Sequence, residues 1–438
     1  MRAACVLALI LAITGAARAE LPTKLPIVGF RVEGPSKTKA RTVAYLAHVA
    51  IGDQVSPNDI DRLERDLLSS ELFEKVSVTL EAAPGGVIVV AHLDDKHSWI
   101  VAPTIFVLPS NFSVGAGFAE NNLRGRNQKL LLYGQLGNRT SLFFGTFLDP
   151  SVRGSKWAAR FDLYAYHRRE DEYENPPADP ESDRVLRINT TNYLGGGVLV
   201  GYTFAWWAVL DFRLRGGYAW FDKSYAPDDT PLPVPEKDGR DITLQTHLTL
   251  DRRGHRYGVT WGPYVQLTLE SSVPALDSYG YGIGLVRAYY SWRLFAEHEL
   301  HVRTNLHAGY HLPYHEELLL GGPADLRGYA TDQFRGDTRL FFRAEYSVPL
   351  FKWRIFAFRA LGFWDGGYSG RYFSRTTADR NFILPEQENG KGVLRNDVGG
   401  GFRIYVRNVV LPLLGLDLGY GIEGHSPKVV FEVGLTDF

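Results

Sequence analysis

From Ser98 to Phe438 the sequence alternates apolar and polar residues over stretches longer than ordinary soluble strands. Trp157, Ala159, Phe161, Leu163 and Ala165 share one parity, and Arg160, Asp162, Tyr164 and Tyr166 share the other. Ile242, Leu244, Leu248 and Leu250 oppose Gln245 and His247 in the same way, and Leu340, Phe342, Ala344, Tyr346 and Val348 oppose Arg339, Arg343 and Glu345. Successive side chains of a strand point to opposite faces, so each stretch has one apolar and one charged face. Soluble strands run to about five or six residues, whereas a tilted strand crossing a bilayer needs about nine to eleven. Apolar outside and polar inside is the pattern of a closed transmembrane barrel, because in lipid only closure satisfies every backbone group of a sheet.

About sixteen such segments can be counted, an even number as bacterial barrels have. Loop length gives an independent check, since such barrels carry long loops at one end and short turns at the other. With the first strand running outward, the long polar connections Arg169–Arg184, Pro227–Asp238, His311–Arg335 and Gly370–Gly392 all fall on the outer side. The short ones, Asp149–Ser155, Phe204–Ala208, Arg252–Tyr257 and Phe351–Lys352, fall on the periplasmic side. No stretch reaches the ~18 consecutive apolar residues of a membrane helix.

The chain opens like a secretory signal: an early Arg2, an apolar run from Ala3 to Ile13, and Ala17-Arg18-Ala19 as the cleavage site, giving a signal over residues 1–19. The single cysteine, Cys5, lies inside that segment, so a mature chain has no disulfide framework. A net charge of -1 gives no polyelectrolyte character, and nucleic acid is excluded as an expected partner. Periplasm or outer membrane is the expected destination.

Residues 20–97 read differently from the barrel region at 98–438. Ile27 to Val32 reads as a strand and Lys39 to Val49 as a helix; Ser56 precedes Pro57 as the N-cap of a second helix carrying Ile60, Leu63, Leu67 and Leu68. Lys75–Leu80 and Val87–Leu93 follow as strands around the turn Pro84-Gly85-Gly86. This order resembles the POTRA module, with Ser70 in place of the usual glycine before Phe73 and Val76. The resemblance implies a three-stranded sheet in the periplasm, whose free edge can take up an extended client or lipoprotein segment as an added strand.

The barrel region carries an ordered set of motifs: Gly115-Ala116-Gly117-Phe118 with Asn121-Asn122-Leu123-Arg124-Gly125, Leu250-Asp251-Arg252-Arg253, Gly321-Gly322-Pro323-Ala324-Asp325-Leu326-Arg327-Gly328-Tyr329, Glu345-Tyr-Ser-Val-Pro and Phe363-Trp-Asp-Gly-Gly. Gly399-Gly400-Gly401-Phe402-Arg403 and Leu413 to Asp417 follow in the closing strands. Together they resemble the BamA/TamA superfamily of outer-membrane proteins, the bacterial surface antigen type. The resemblance implies a mainly β fold, a 16-stranded antiparallel transmembrane barrel preceded by one small α+β POTRA-like domain. It also implies that the sixth surface loop folds into the lumen and sets Arg327, Gly328 and Tyr329 against Glu345 and Asp365.

Strand parity agrees, since Glu345 shares its face with Arg339 and Arg343, and Asp365 with Arg359. Pro103 lies inside the first strand and has no N–H, as a strand at an openable edge tolerates. A lateral seam is therefore expected between the first strand, with Pro103, and the last, with Phe431, Val433 and Phe438.

By the same resemblance the expected function is insertion or translocation of client proteins, without hydrolytic chemistry, catalytic residue, metal or cofactor. The expected partners are outer-membrane lipid, unfolded outer-membrane or exported clients, and periplasmic chaperones or lipoproteins. A passive solute channel or a lipid-transport barrel is the alternative. His311, His315 and Glu316 are read as polar lining rather than a metal site, and His247, His298 and His301 as lumen-facing polar residues rather than a hydrolase centre.

Overall fold

A computed structural model describes residues 24–108, 111–174, 181–256, 259–295, 297–354, 356–373, 384, 392–406 and 412–433. The expected signal at residues 1–19 and Phe438 lie outside these residues. Contacts divide the chain between Asp95 and Lys96 into two compact units.

The smaller unit contains β1 (Leu25–Glu33), α1 (Ala40–Leu46), β2 (Gln54–Val55), α2 (Ile60–Ser69), β3 (Phe73–Ala83) and β4 (Gly86–Asp95). Its sheet has four strands in the order β2-β1-β4-β3, not three, because Gln54 and Val55 pair with the start of β1. β1 and β4 run parallel, β4 and β3 antiparallel. Both helices pack on the sheet through Val43 and Leu46 from α1 and Leu63 and Leu67 from α2, against Ile27, Val78, Val89 and Leu93. The i, i+4 spacing of Leu63 and Leu67 puts both on one helical face.

α1 stops at Leu46, short of the expected Val49, and His48 takes a left-handed φ of 54° just beyond it. The left-handed step before β3 falls at Glu71, φ 60°, one residue after Ser70 where the glycine was expected. β3 is the free edge of this sheet, yet it is blunted at one point. The Glu64 carboxylate, on α2, accepts the Val78 backbone N–H at 2.8 Å.

The larger unit is a closed barrel. Its sixteen long strands are β5 (Trp99–Leu108), β6 (Asn111–Leu123), β7 (Gln128–Gly137), β8 (Thr140–Asp149), β9 (Trp157–Tyr173), β10 (Val185–Ala205), β11 (Ala208–Tyr225), β12 (Gly239–Asp251), then, past the three-residue β13 (Gly254–Arg256), β14 (Val259–Ser272), β15 (Gly282–Leu294) and β16 (His298–Tyr310). Two short strands, β17 (Leu318–Leu320) and β18 (Phe334–Gly336), lie in a loop, and β19 (Thr338–Trp353), β20 (Phe356–Gly370), β21 (Val393–Val406), β22 (Pro412–Gly421) and β23 (Ser426–Val433) complete the wall. Each neighbouring pair of barrel strands is antiparallel, and β23 returns to β5 to close the cylinder.

Phe161, Leu163, Leu244 and Trp364 are exposed on the outer face, while Arg359 and Asp365 are buried inside. Long connections gather at one end, and at the other Trp206 and Trp207 alone join β10 to β11. The turn expected at Phe351–Lys352 lies further on: β19 continues to Trp353 past a register irregularity after Pro349, and the chain reverses at Arg354, φ 51°.

Candidate functional site

The loop between β16 and β19, residues 311–337, is built as a hairpin whose strands β17 and β18 pair Leu318 with Gly336 and Leu320 with Phe334. Leu320, Leu326, Tyr329 and Phe334 form a small apolar core with Phe341 of β19 and Val393 of β21. At the hairpin's turn, Gly321 adopts φ 122° and Gly322 φ 91°, conformations that side-chain-bearing residues rarely reach. Gly328 is required for another reason: a Cβ there would lie 2.3 Å from the Gly421 backbone nitrogen.

This packing delivers Arg327 to acidic groups on the inner faces of three strands, β19, β20 and β22. Its Nε donates to Asp365 Oδ2 at 2.9 Å and its Nη2 to Asp365 Oδ1 at 3.2 Å, a paired grip that the planar guanidinium suits. Its Nη1 donates to Glu345 Oε2 at 3.2 Å and to Asp417 Oδ2 at 3.0 Å. The guanidinium carbon lies 3.2 Å from the centre of the Phe363 ring, adding a cation–π contact. Side-chain exposure is 2% for Arg327 and 0% for Asp365, so neither charge has bulk water as an alternative partner.

The neighbouring residues follow. The Gly328 backbone N–H donates to Asp397 Oδ2 at 3.0 Å, and the Tyr329 hydroxyl donates to Glu423 Oε2 at 2.6 Å. Arg343 also grips Asp365, and Arg403 grips Asp417 at 2.5 and 2.8 Å. The structure thus brings together Arg327, Gly328, Tyr329, Glu345 and Asp365, and adds Asp397, Asp417, Glu423 and Phe363, which sequence reasoning did not name as partners. Asp417 shares its parity with Gly415 and Gly419, and that alternation was the available signal.

The same loop is held at two further places. Arg335 donates to Glu170 of β9 at 2.8 Å and to Glu317 at 3.2 Å, with its guanidinium over the Tyr314 ring at 3.9 Å. Arg215 of β11 donates to Glu316 at 2.9 Å, Asp241 at 2.9 Å and Glu270 at 2.8 Å. Asp241, His315 and Glu316 place ligand-type atoms within 4.8 Å of one another, but the Arg215 guanidinium already supplies the cation there, and His311 is not part of the group. His247, His298 and His301 hydrogen-bond Thr268, Tyr346 and Ser291 at 2.8, 2.7 and 2.7 Å.

Of the expected seam residues, Pro103 lies on β5 and Phe431 and Val433 on β23, while Phe438 lies outside the described residues. Described pairing between β23 and β5 covers Phe431 with Val107, Glu432 with Phe106 and Val433 with Ile105, whereas β5 pairs with β6 along its whole length from Trp99 to Leu108. Pro103 is exposed on the outer face. It pairs with Ala116 of β6 and lies beyond the described β23 contact.

Comparison with known proteins agrees with this geometry. Residues 122–428, more than half of the chain, match the Omp85 superfamily domain. Among solved structures, BamA from Haemophilus ducreyi lacking POTRA domains 1-3 is similar at TM-score 0.59 and 13% identity, covering 93% of this chain and 84% of that one. CdiB from Acinetobacter baumannii is similar at 0.60 and 13%, covering 94% and 74%. CdiB from Escherichia coli is similar at 0.62 and 12%, covering 93% and 76%. No curated protein matches this chain by sequence.

Proposed function

The chain belongs to the Omp85 superfamily, and from that premise we propose that it is a bacterial outer-membrane barrel that inserts or translocates client proteins. The observation that carries the reading is the match of residues 122–428 to the Omp85 superfamily domain, and the seam is where the proposed activity would act. β23 closes the barrel on β5 through Phe431 with Val107, Glu432 with Phe106 and Val433 with Ile105 among the described residues, and a first-to-last junction that opens would offer N–H and C=O groups on which an incoming strand can add. Lipid offers those groups no partner, so a client strand lowers its own cost of entering the bilayer by pairing there.

The small unit is read as a POTRA-like domain in the periplasm, recruiting extended segments along β3, with periplasmic chaperones or lipoproteins as accessory partners. The chain enters the barrel at the end that carries the short turns, which sets the long loops outward. The buried Arg327 cluster supports a loop that stays in the lumen while the seam works.

Reconstitution into liposomes tests the reading. An insertase accelerates folding of an added outer-membrane barrel protein and gives little swelling in sugar solutions, whereas a passive channel swells the vesicles and leaves client folding at the lipid-only rate.

A further inference from the structure

The lumen wall under the tip of the loop carries more cationic charge than the loop neutralises. β15, β16 and β19 bring Arg287, Arg303, Arg339 and Arg343 to the inside, with Arg303 directly opposite Arg343, and His307 opposite Arg339. Like charges opposite each other on neighbouring strands repel. Arg343 is matched by Asp365, which it contacts at 2.7 and 3.0 Å. Of the other three, Arg339 pairs with the Asp325 carboxylate, and neither Arg287 nor Arg303 forms an ion pair among the described residues.

Arg303 donates instead to the Ala324 backbone oxygen at 2.7 Å, and Arg343 donates to the Asp325 backbone oxygen at 2.7 Å. The Nε–H groups of Arg287, Arg303 and Arg339 are shielded and meet no acceptor among the described residues. Buried donors of this kind call for an acceptor, because an unmade hydrogen bond there forfeits solvation as well.

What the loop places on this wall defines the chemistry it accepts: one carboxylate and two backbone oxygens from adjacent residues. A free phosphate has no backbone carbonyls to offer, and a polypeptide bearing Asp or Glu has both. We propose that the wall of Arg287, Arg303, Arg339 and Arg343 is a receptor for an acidic residue of a polypeptide in the lumen, held in this structure by Ala324–Asp325 as an internal competitor. The proposal rests on the reading that clients are polypeptides. The tethered competitor keeps apparent affinity low until the loop tip yields, since binding waits on the fraction of molecules with the wall free.

The full chain in detergent is titrated with a fluorescent Asp-containing peptide, its Asn counterpart and inorganic phosphate, with polarisation as the readout. Asp325→Asn is expected to tighten the Asp peptide by about tenfold, because the competing carboxylate is gone. The Asn peptide and phosphate are expected to bind at least about tenfold more weakly than the Asp peptide. Arg287 makes no hydrogen bond or ion pair with the loop among the described residues, so Arg287→Gln tests the wall without removing a bond that holds the hairpin; in the Asp325→Asn background it is expected to weaken the Asp peptide by about tenfold. Equal binding of the two peptides, phosphate binding as tight as the Asp peptide, or an Arg287→Gln variant with unchanged affinity would overturn the proposal. Peptide binding is read without any insertion step, so failure here and failure of the insertase assay are separate results.

Discussion

Arg327 and Asp365, thirty-eight positions apart, meet through two hydrogen bonds of 2.9 and 3.2 Å inside the barrel, and at 2% and 0% side-chain exposure both are closed off from bulk water. The pair joins an inserted loop to the wall, so its loss is expected to free the loop before it unfolds the barrel. Removing one partner of a buried ion pair typically costs about 3 to 5 kcal/mol. Arg327→Ala is expected to lie in that range. Arg327→Lys is expected to recover part of it, because an ammonium cannot reproduce the paired grip or the stacking on Phe363. Protease sensitivity of residues 311–337, measured beside heat-modifiability of the barrel on gels, checks this: the loop should become cleavable while the barrel still migrates as folded.

Arg335 and Glu170 form a second anchor at 2.8 Å, on the β9 side. Glu170→Gln keeps the volume and removes the charge, and Glu317 remains as a partner for Arg335. The expected cost is therefore smaller, about 1 to 3 kcal/mol. Because both anchors hold one rigid hairpin, Glu170→Gln combined with Arg327→Lys is expected to differ from the sum of the single changes by more than about 0.5 kcal/mol. A double-mutant cycle on loop protease protection measures that coupling.

How much of this was legible in the sequence follows from the range of each interaction. The barrel shows through because period-two alternation is local: Phe161 and Leu163 announce the outer face within a few residues. Strand parity likewise set Glu345 and Asp365 on one inward face, and the distances join both to Arg327. Asp417 lies ninety positions from Arg327, and Glu170 lies 165 from Arg335; such pairs are created by closing the cylinder, which no local pattern encodes. Two local readings missed for local reasons. The turn moved from Phe351–Lys352 to Arg354 because a register irregularity after Pro349 adds residues to β19, and β2 was too short, at two residues, to show a period.

In the small unit, Asp59 accepts the Ser56 backbone N–H at 2.9 Å and the Ser56 hydroxyl at 2.8 Å. Those bonds, helped by Arg62, hold its carboxyl below the ordinary value of 3.8. A depressed folded pKa means stability that is present above the unfolded value and is lost as pH falls through the folded one. Asp59→Ala is expected to weaken α2 by about 1 kcal/mol at neutral pH. The difference from the parent should shrink in acid below the ordinary carboxylate range. Amide exchange of α2 in the full chain, compared at neutral and acid pH, checks both statements.

The chain divides into two compact units between Asp95 and Lys96, and the long barrel strands begin at Trp99. Limited proteolysis in detergent is expected to cut near that point and leave a resistant fragment beginning close to Ser98. A resistant soluble fragment arising from within residues 98–438 would contradict the assignment of that whole region to one barrel.

The seam carries the functional account, and one crosslink tests it. Val107 and Phe431 are register partners on β5 and β23, and the single native cysteine, Cys5, lies in the segment expected to be a signal. Val107→Cys with Phe431→Cys, oxidised in proteoliposomes and challenged with an unfolded outer-membrane barrel protein, reads the rate of client folding with the seam locked. The account predicts that oxidation brings this rate down to that of empty liposomes and that reduction restores it, with the barrel folded in both states. Client folding at the full rate through the locked seam would contradict it.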